Sequence, residues 1–144
     1  MKILKSIIFS ISFVITFSAK GCVIPDLQHY INFDPTDTTI GSKKAKEIAK
    51  WLIFWREGEG IKYIIIFSES IENNQHFNAI SNQRVQNITS LITPLLEEQT
   101  EIKYGQTSHD PSASLEKTKT INEIQISIQP QCKRSGNCCG GNSR

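Results

Sequence analysis

The clearest pattern along the chain is the two-residue alternation in NEIQISIQ. Ile124, Ile126 and Ile128 fall on one side, and Glu123, Gln125 and Ser127 on the other. That period predicts a half-buried strand. Tyr63 to Phe67 is instead a continuous apolar run, read as a central strand covered on both faces. HYINF, at 29–33, reads as a further short strand, and TEIKYG, with Ile102 and Tyr104 between charges, as another. From Gln106 to Thr120 the chain is polar and reads as a loop.

Two stretches carry a helical period. Between Lys43 and Arg56, Ala45, Ile48, Ala49 and Leu52 share a face, with Thr39 or Ser42 as the candidate N-cap and Gly58 and Gly60 as the stop. The end of this helix, WLIFW, is apolar all round, which fits burial on several sides or an interaction surface. The second helix runs from about Gln75 to Thr93, where Pro94 removes an amide donor. Phe77, Ile80, Ile88 and Leu91 mark its apolar stripe, and Arg84 stands on or beside it. A guanidinium there must be paired, snorkel to water, or face a ligand. The order strand, helix, strand, helix, strand, loop, strand implies an α+β fold: a two-layer sandwich with two helices on one face of a small mixed sheet.

The first residues change the picture of where the chain works. Lys2 and Lys5 precede an uncharged apolar run, Ile7 to Phe17, and Ala19-Lys20-Gly21 leads to Cys22. This reads as a signal peptide over 1–21 and predicts export. Cys22 follows small residues as in a lipoprotein site, but Ala19 and Lys20 are poor lipobox residues. Lipidation of Cys22 and ordinary cleavage after Gly21 therefore both stand. Residues 22–28 are a linker, 29–130 the domain, and 131–144 a flexible tail rich in Gly, Asn and Ser.

Charge matters once export is allowed for. The chain has 16 basic and 14 acidic residues; without Lys2, Lys5 and Lys20 it has 13 and 14, net −1. That excludes a basic nucleic-acid binder and gives no sign of electrostatic capture by an anionic membrane, so membrane contact is expected only through a lipid on Cys22. Of four cysteines, Cys22, Cys132, Cys138 and Cys139, three lie in the tail. In an oxidising compartment they pair, with adjacent Cys138 and Cys139 poor partners for one another. Their spacing is not a metal pattern, and no cofactor motif is present. His29, His76 and His109 lie in different segments, and no nucleophile elbow or metalloprotease motif accompanies them, so no enzyme activity is expected.

Four blocks in order resemble the OmpA-like, peptidoglycan-associated periplasmic domain: INFDPTDTTIGSKKAKEIAKWL, FSESIENNQHFNAISNQRVQNI, IKYG and INEIQISI. Ile80, Ser81, Arg84, Val85 and Ile88 match the family's helix pattern of L, S, R, A and V. The resemblance spans about Ile31 to Ile128. It implies a β-α-β-α-β-β fold, a periplasmic or outer-membrane location, and non-covalent binding of peptidoglycan through its diaminopimelate stem peptide. In the family an Asp and the helix Arg grip diaminopimelate, the guanidinium taking a carboxylate and the acid taking the ammonium. Arg84 is retained here, with Ser81 beside it. The loop is altered, and the family's Asp falls on Ser70 or on Glu69. The family's double Arg on the final strand becomes Asn122-Glu123. The alternative is an OmpA-like scaffold without wall binding, acting by protein contact in envelope machinery or as a periplasmic inhibitor. Arg84 would then form a structural ion pair with Glu69 or Glu72.

Overall fold

The structure is a computed structural model that describes residues 24–110, 121–136 and 138. The expected signal segment 1–21, Cys22, Cys139 and the stretch 111–120 lie outside the described residues. The elements are β1 (Gln28–Asn32), α1 (Ser42–Gly58), β2 (Ile61–Ile71), α2 (Gln75–Ile92), a 3₁₀ turn (Thr93–Leu95), β3 (Glu101–His109) and β4 (Glu123–Pro130). The strands form one mixed sheet in the order β1-β4-β2-β3. β4 runs antiparallel to both β1 and β2, while β2 and β3 are parallel, their crossover being α2. The α+β arrangement expected from the sequence is the one observed.

The core lies between the sheet and the helices. Ile31, Ile64, Ile66, Ile124, Ile126 and Ile128 point from the sheet toward Ile48, Leu52 and Trp55 of α1 and Ile88 and Ile92 of α2. Burying such a side chain contributes about 1.5–3 kcal/mol. The period-two reading of β4 is thus correct, as is the face of α1 that carries Ile48 and Leu52.

Four expectations need correction. Among the described residues the helices cover only one face of β2. Tyr63, Ile65 and Phe67 point to the other face, where Phe67 is 37% exposed. Among the described residues the apolar run therefore marks a central strand with no helix on one of its faces. β3 continues to His109 rather than stopping near Gly105, because each residue from Glu101 to His109 has a partner on β2, ending at Ile71↔His109. β2 likewise absorbs Ser68 to Ile71, part of which had the polarity of a loop. Finally, α1 is preceded by Gly41 with no side-chain cap, so neither Thr39 nor Ser42 plays that role.

The tail also departs from expectation where it is described. Gln131 N–H donates to the Gly60 carbonyl and Lys133 N–H to the Glu59 carbonyl, at 3.0 and 2.9 Å. The Glu59 carboxylate accepts from the amides of Arg134 and Ser135 and from the Ser135 hydroxyl. Cys132 and Cys138 form a disulfide with Cα atoms 5.0 Å apart. Residues 131–136 are therefore tied to the end of α1. Gly60 allows this approach: its φ is +73°, and a Cβ there would meet the Lys133 side chain at 2.8 Å.

Candidate functional site

Arg84 lies in the middle of the buried stripe of α2, between Ser81 and Ile88, and is 1% exposed. The helix that carries it is started by Asn74, whose side chain accepts from Phe77 N–H. Asn78 fixes the entry by bonding both the amide and the carbonyl of Ile71. The guanidinium reaches the loop between β1 and α1. Nε donates to the Asp37 carbonyl at 2.7 Å, and Nη2 to the carbonyls of Asp34 and Pro35 at 2.7 and 3.1 Å. Nη1 donates to Asn122 Oδ1 at 3.1 Å, and Cζ lies 4.9 Å from the centre of the Phe33 ring. Four bonds from a planar fork and one ring contact hold it.

Burial pulls the Arg84 pKa down from its ordinary value, and nearby Asp37 opposes this. The group remains a cation at neutral pH. Among the described residues no carboxylate lies at ion-pair distance from it, so the ion pair with Glu69 or Glu72 considered from the sequence is not formed. The physical reason is the pleat. Glu69 points to the open face of the sheet, whereas α2 packs on the other.

The remaining candidates lie apart from the guanidinium. Ser81 is 2% exposed, and its hydroxyl donates to the Glu69 carbonyl at 2.7 Å. Ser70 is buried on the helix side, donating weakly to the Thr107 carbonyl at 3.4 Å. The Glu69 carboxylate faces the His109 imidazole in an ion-pair approach. The backbone of Glu69 is thus linked to α2, while its side chain belongs to a different surface.

That surface is a groove of about 620 Å³ on the open face. Tyr30, Ile65 and Phe67 supply its apolar floor, and Glu69, Glu123 and Gln125 its polar side. Burial, and then the charge of Glu69, push the Glu123 carboxyl above the ordinary carboxylate value. Phe67 lies across Gly105 of the neighbouring strand, where a Cβ would meet its ring at 2.5 Å. Among the described residues no cluster of His, Cys, Asp or Glu is arranged to hold a metal ion, and no helix is long and apolar enough to cross a membrane.

Sequence reasoning missed the partners of Arg84. Three are backbone carbonyls, which carry no side-chain signature. The fourth, Asn122, stands where the resemblance placed one of the family's arginines. His109 at the end of β3 falls within the polar stretch 106–120, whose composition is that of a loop. Its place opposite Ile71 follows from the parallel register, which short-range periodicity does not reveal.

No protein-family model matches the chain, and no curated protein matches it. Among solved structures, it is similar to the OmpA-like domain of FopA1 from Francisella tularensis subsp. tularensis SCHU S4. The identity is 14%, over 72% of this chain and 74% of that chain, with a TM-score of 0.47.

Proposed function

We propose that the chain is an exported cell-envelope protein whose domain is a non-catalytic scaffold of the OmpA-like kind, acting by contact with other polypeptides. The observation that carries this reading is the state of Arg84. A ligand-gripping arginine presents its fork to a carboxylate. This one is 1% exposed and gives four of its donors to the loop at 34–37 and to Asn122. The arrangement supports a bolt that fixes the β1–α1 loop on α2. The altered sequence Ser68-Glu69-Ser70 supports the same reading, because the carboxylate of Glu69 is on the far face of the sheet from that bolt.

Peptidoglycan binding is the second reading, favoured by the match of Ile80, Ser81, Arg84, Val85 and Ile88 to the wall-binding helix pattern. It requires the loop at 34–37 to release the guanidinium in favour of a stem-peptide carboxylate. Sedimentation with purified diaminopimelate-type peptidoglycan separates the two. The scaffold reading expects the wild-type protein to stay in the supernatant. Pelleting of wild type, abolished in a folded Arg84→Lys variant, would replace it with wall binding.

A further inference from the structure

The flank of α1 that carries Phe54 is built unlike the rest of the surface. Phe54 is 69% exposed, although it sits between Trp51 and Trp55. Both indoles donate to one acceptor, the Asp26 carbonyl, at 2.7 and 3.0 Å, with Asp26 in the left-handed region at φ +59°. His29 lies against Trp51, ring centres 5.2 Å apart, and Phe54 meets Trp55 edge-on at 5.8 Å. The aromatic rings are thus held in place by the turn before β1. Hollows of about 480 and 260 Å³ flank Phe54 on its two sides.

Charge is concentrated on the same helix. α1 holds five of the 16 basic residues and two of the 14 acidic ones, net +3; the remaining 11 and 12 give net −1. Lys43, Lys46 and Lys50 are exposed along it, with Glu47 exposed among them. The chain also enters the domain here. Ile24 lines one of the two hollows beside Phe54.

We propose that this flank of α1 is a membrane-surface contact, which seats Phe54 and Trp51 at the headgroup level of an anionic phospholipid bilayer. A tryptophan ring favours that depth, an exposed Phe54 offers it apolar surface, and lysines beside them meet the lipid charge. The docked domain would lie with α1 along the bilayer and the sheet face that carries Phe67 turned away from it. This goes beyond the scaffold reading and stands independently of it.

Of the two tryptophans of the chain, Trp51 is on this flank and Trp55 borders it from the core, so their emission reports on it whatever the N-terminal segment does. The full chain is mixed with vesicles of phosphatidylglycerol and dibrominated phosphatidylcholine. The proposal expects a blue shift and bromine quenching. It expects weaker quenching at high salt or in a Lys43/Lys46/Lys50→Gln triple variant, and most of the quenching lost in Phe54→Ser. Because Phe54 is exposed, that variant keeps the core intact. Protein that sediments with vesicles while its tryptophans stay unquenched overturns the proposal, as does protein that fails to sediment. Quenching of Phe54→Ser equal to wild type also overturns it. A dimer in solution that Phe54→Ser dissolves, with no vesicle effect, would assign the flank to a second copy instead.

Discussion

Arg84 Nη2 donates to the carbonyl of Asp34 at 2.7 Å, across fifty residues of sequence. This bond, with its neighbours at Pro35 and Asp37, fastens the loop between β1 and α1 to the middle of α2. Removing the side chain strands those carbonyls and leaves a hole under Phe33. Arg84→Ala should destabilise the fold by about 3 kcal/mol, since each buried polar group left unpaired costs about 1–3 kcal/mol. Arg84→Lys should recover only part of this, because an ammonium keeps the charge but not the planar fork. Urea unfolding of the three proteins measures both differences.

Phe67 over Gly105 makes a second prediction. Gly105→Ala forces the ring toward solvent and should cost about 1 kcal/mol, the size of a typical disruptive substitution. In a Phe67→Ala background the same change should be neutral or slightly stabilising, since alanine suits a strand better than glycine. A double-mutant cycle in denaturant reads the coupling.

Glu59 and Glu123 should give opposite pH dependences. The Ser135 amide, the Ser135 hydroxyl and Arg134 hold the Glu59 pKa below its ordinary 4.5. Its stabilisation is complete above that value and is lost as pH falls through the folded-state pKa. Glu59→Gln should therefore lose stability at neutral pH and flatten the acid limb. Glu123 is shifted upward, by burial first and Glu69 second. Its favourable contribution is present below 4.5 and disappears as pH rises through the raised pKa, so Glu123→Gln should stabilise the protein near neutrality. Melting temperatures of both variants from about pH 3 to 7 check the two signs.

The disulfide Cys132–Cys138 closes the segment that Glu59 grips. Reduction should raise amide exchange over 131–136 and lower stability by about 2 kcal/mol, the loop-closure value for so short a ring. Exchange of the β4 amides, which open only with the whole fold, should rise by that global loss and no more. Hydrogen-exchange mass spectrometry with and without a thiol reductant makes the comparison.

These features differ in how far the sequence discloses them. The alternation of Ile124, Ile126 and Ile128 is legible because one face of β4 is dry and the other is not. β3 is nearly all exposed, so Gln106, Thr107 and Ser108 have no alternation to read; its length is set by hydrogen bonds to β2. WLIFW shows the limit of composition. Leu52 and Trp55 are buried as expected, but the helix turn leaves Phe54 in solvent. Periodicity also placed Arg84 at the apolar stripe of α2. What holds it there is the shape of a distant loop, and three of its acceptors are carbonyls that any residue would supply.

The central claim is that Arg84 is a bolt and not a ligand grip. A buried, hydrogen-bonded Nε–H exchanges slowly enough to be followed by nuclear magnetic resonance. The direct test is to record the Arg84 Nε–H signal while titrating in a diaminopimelate-containing stem peptide. The account predicts a protected signal whose position does not move. A saturable shift, or loss of protection as the peptide is added, would contradict it.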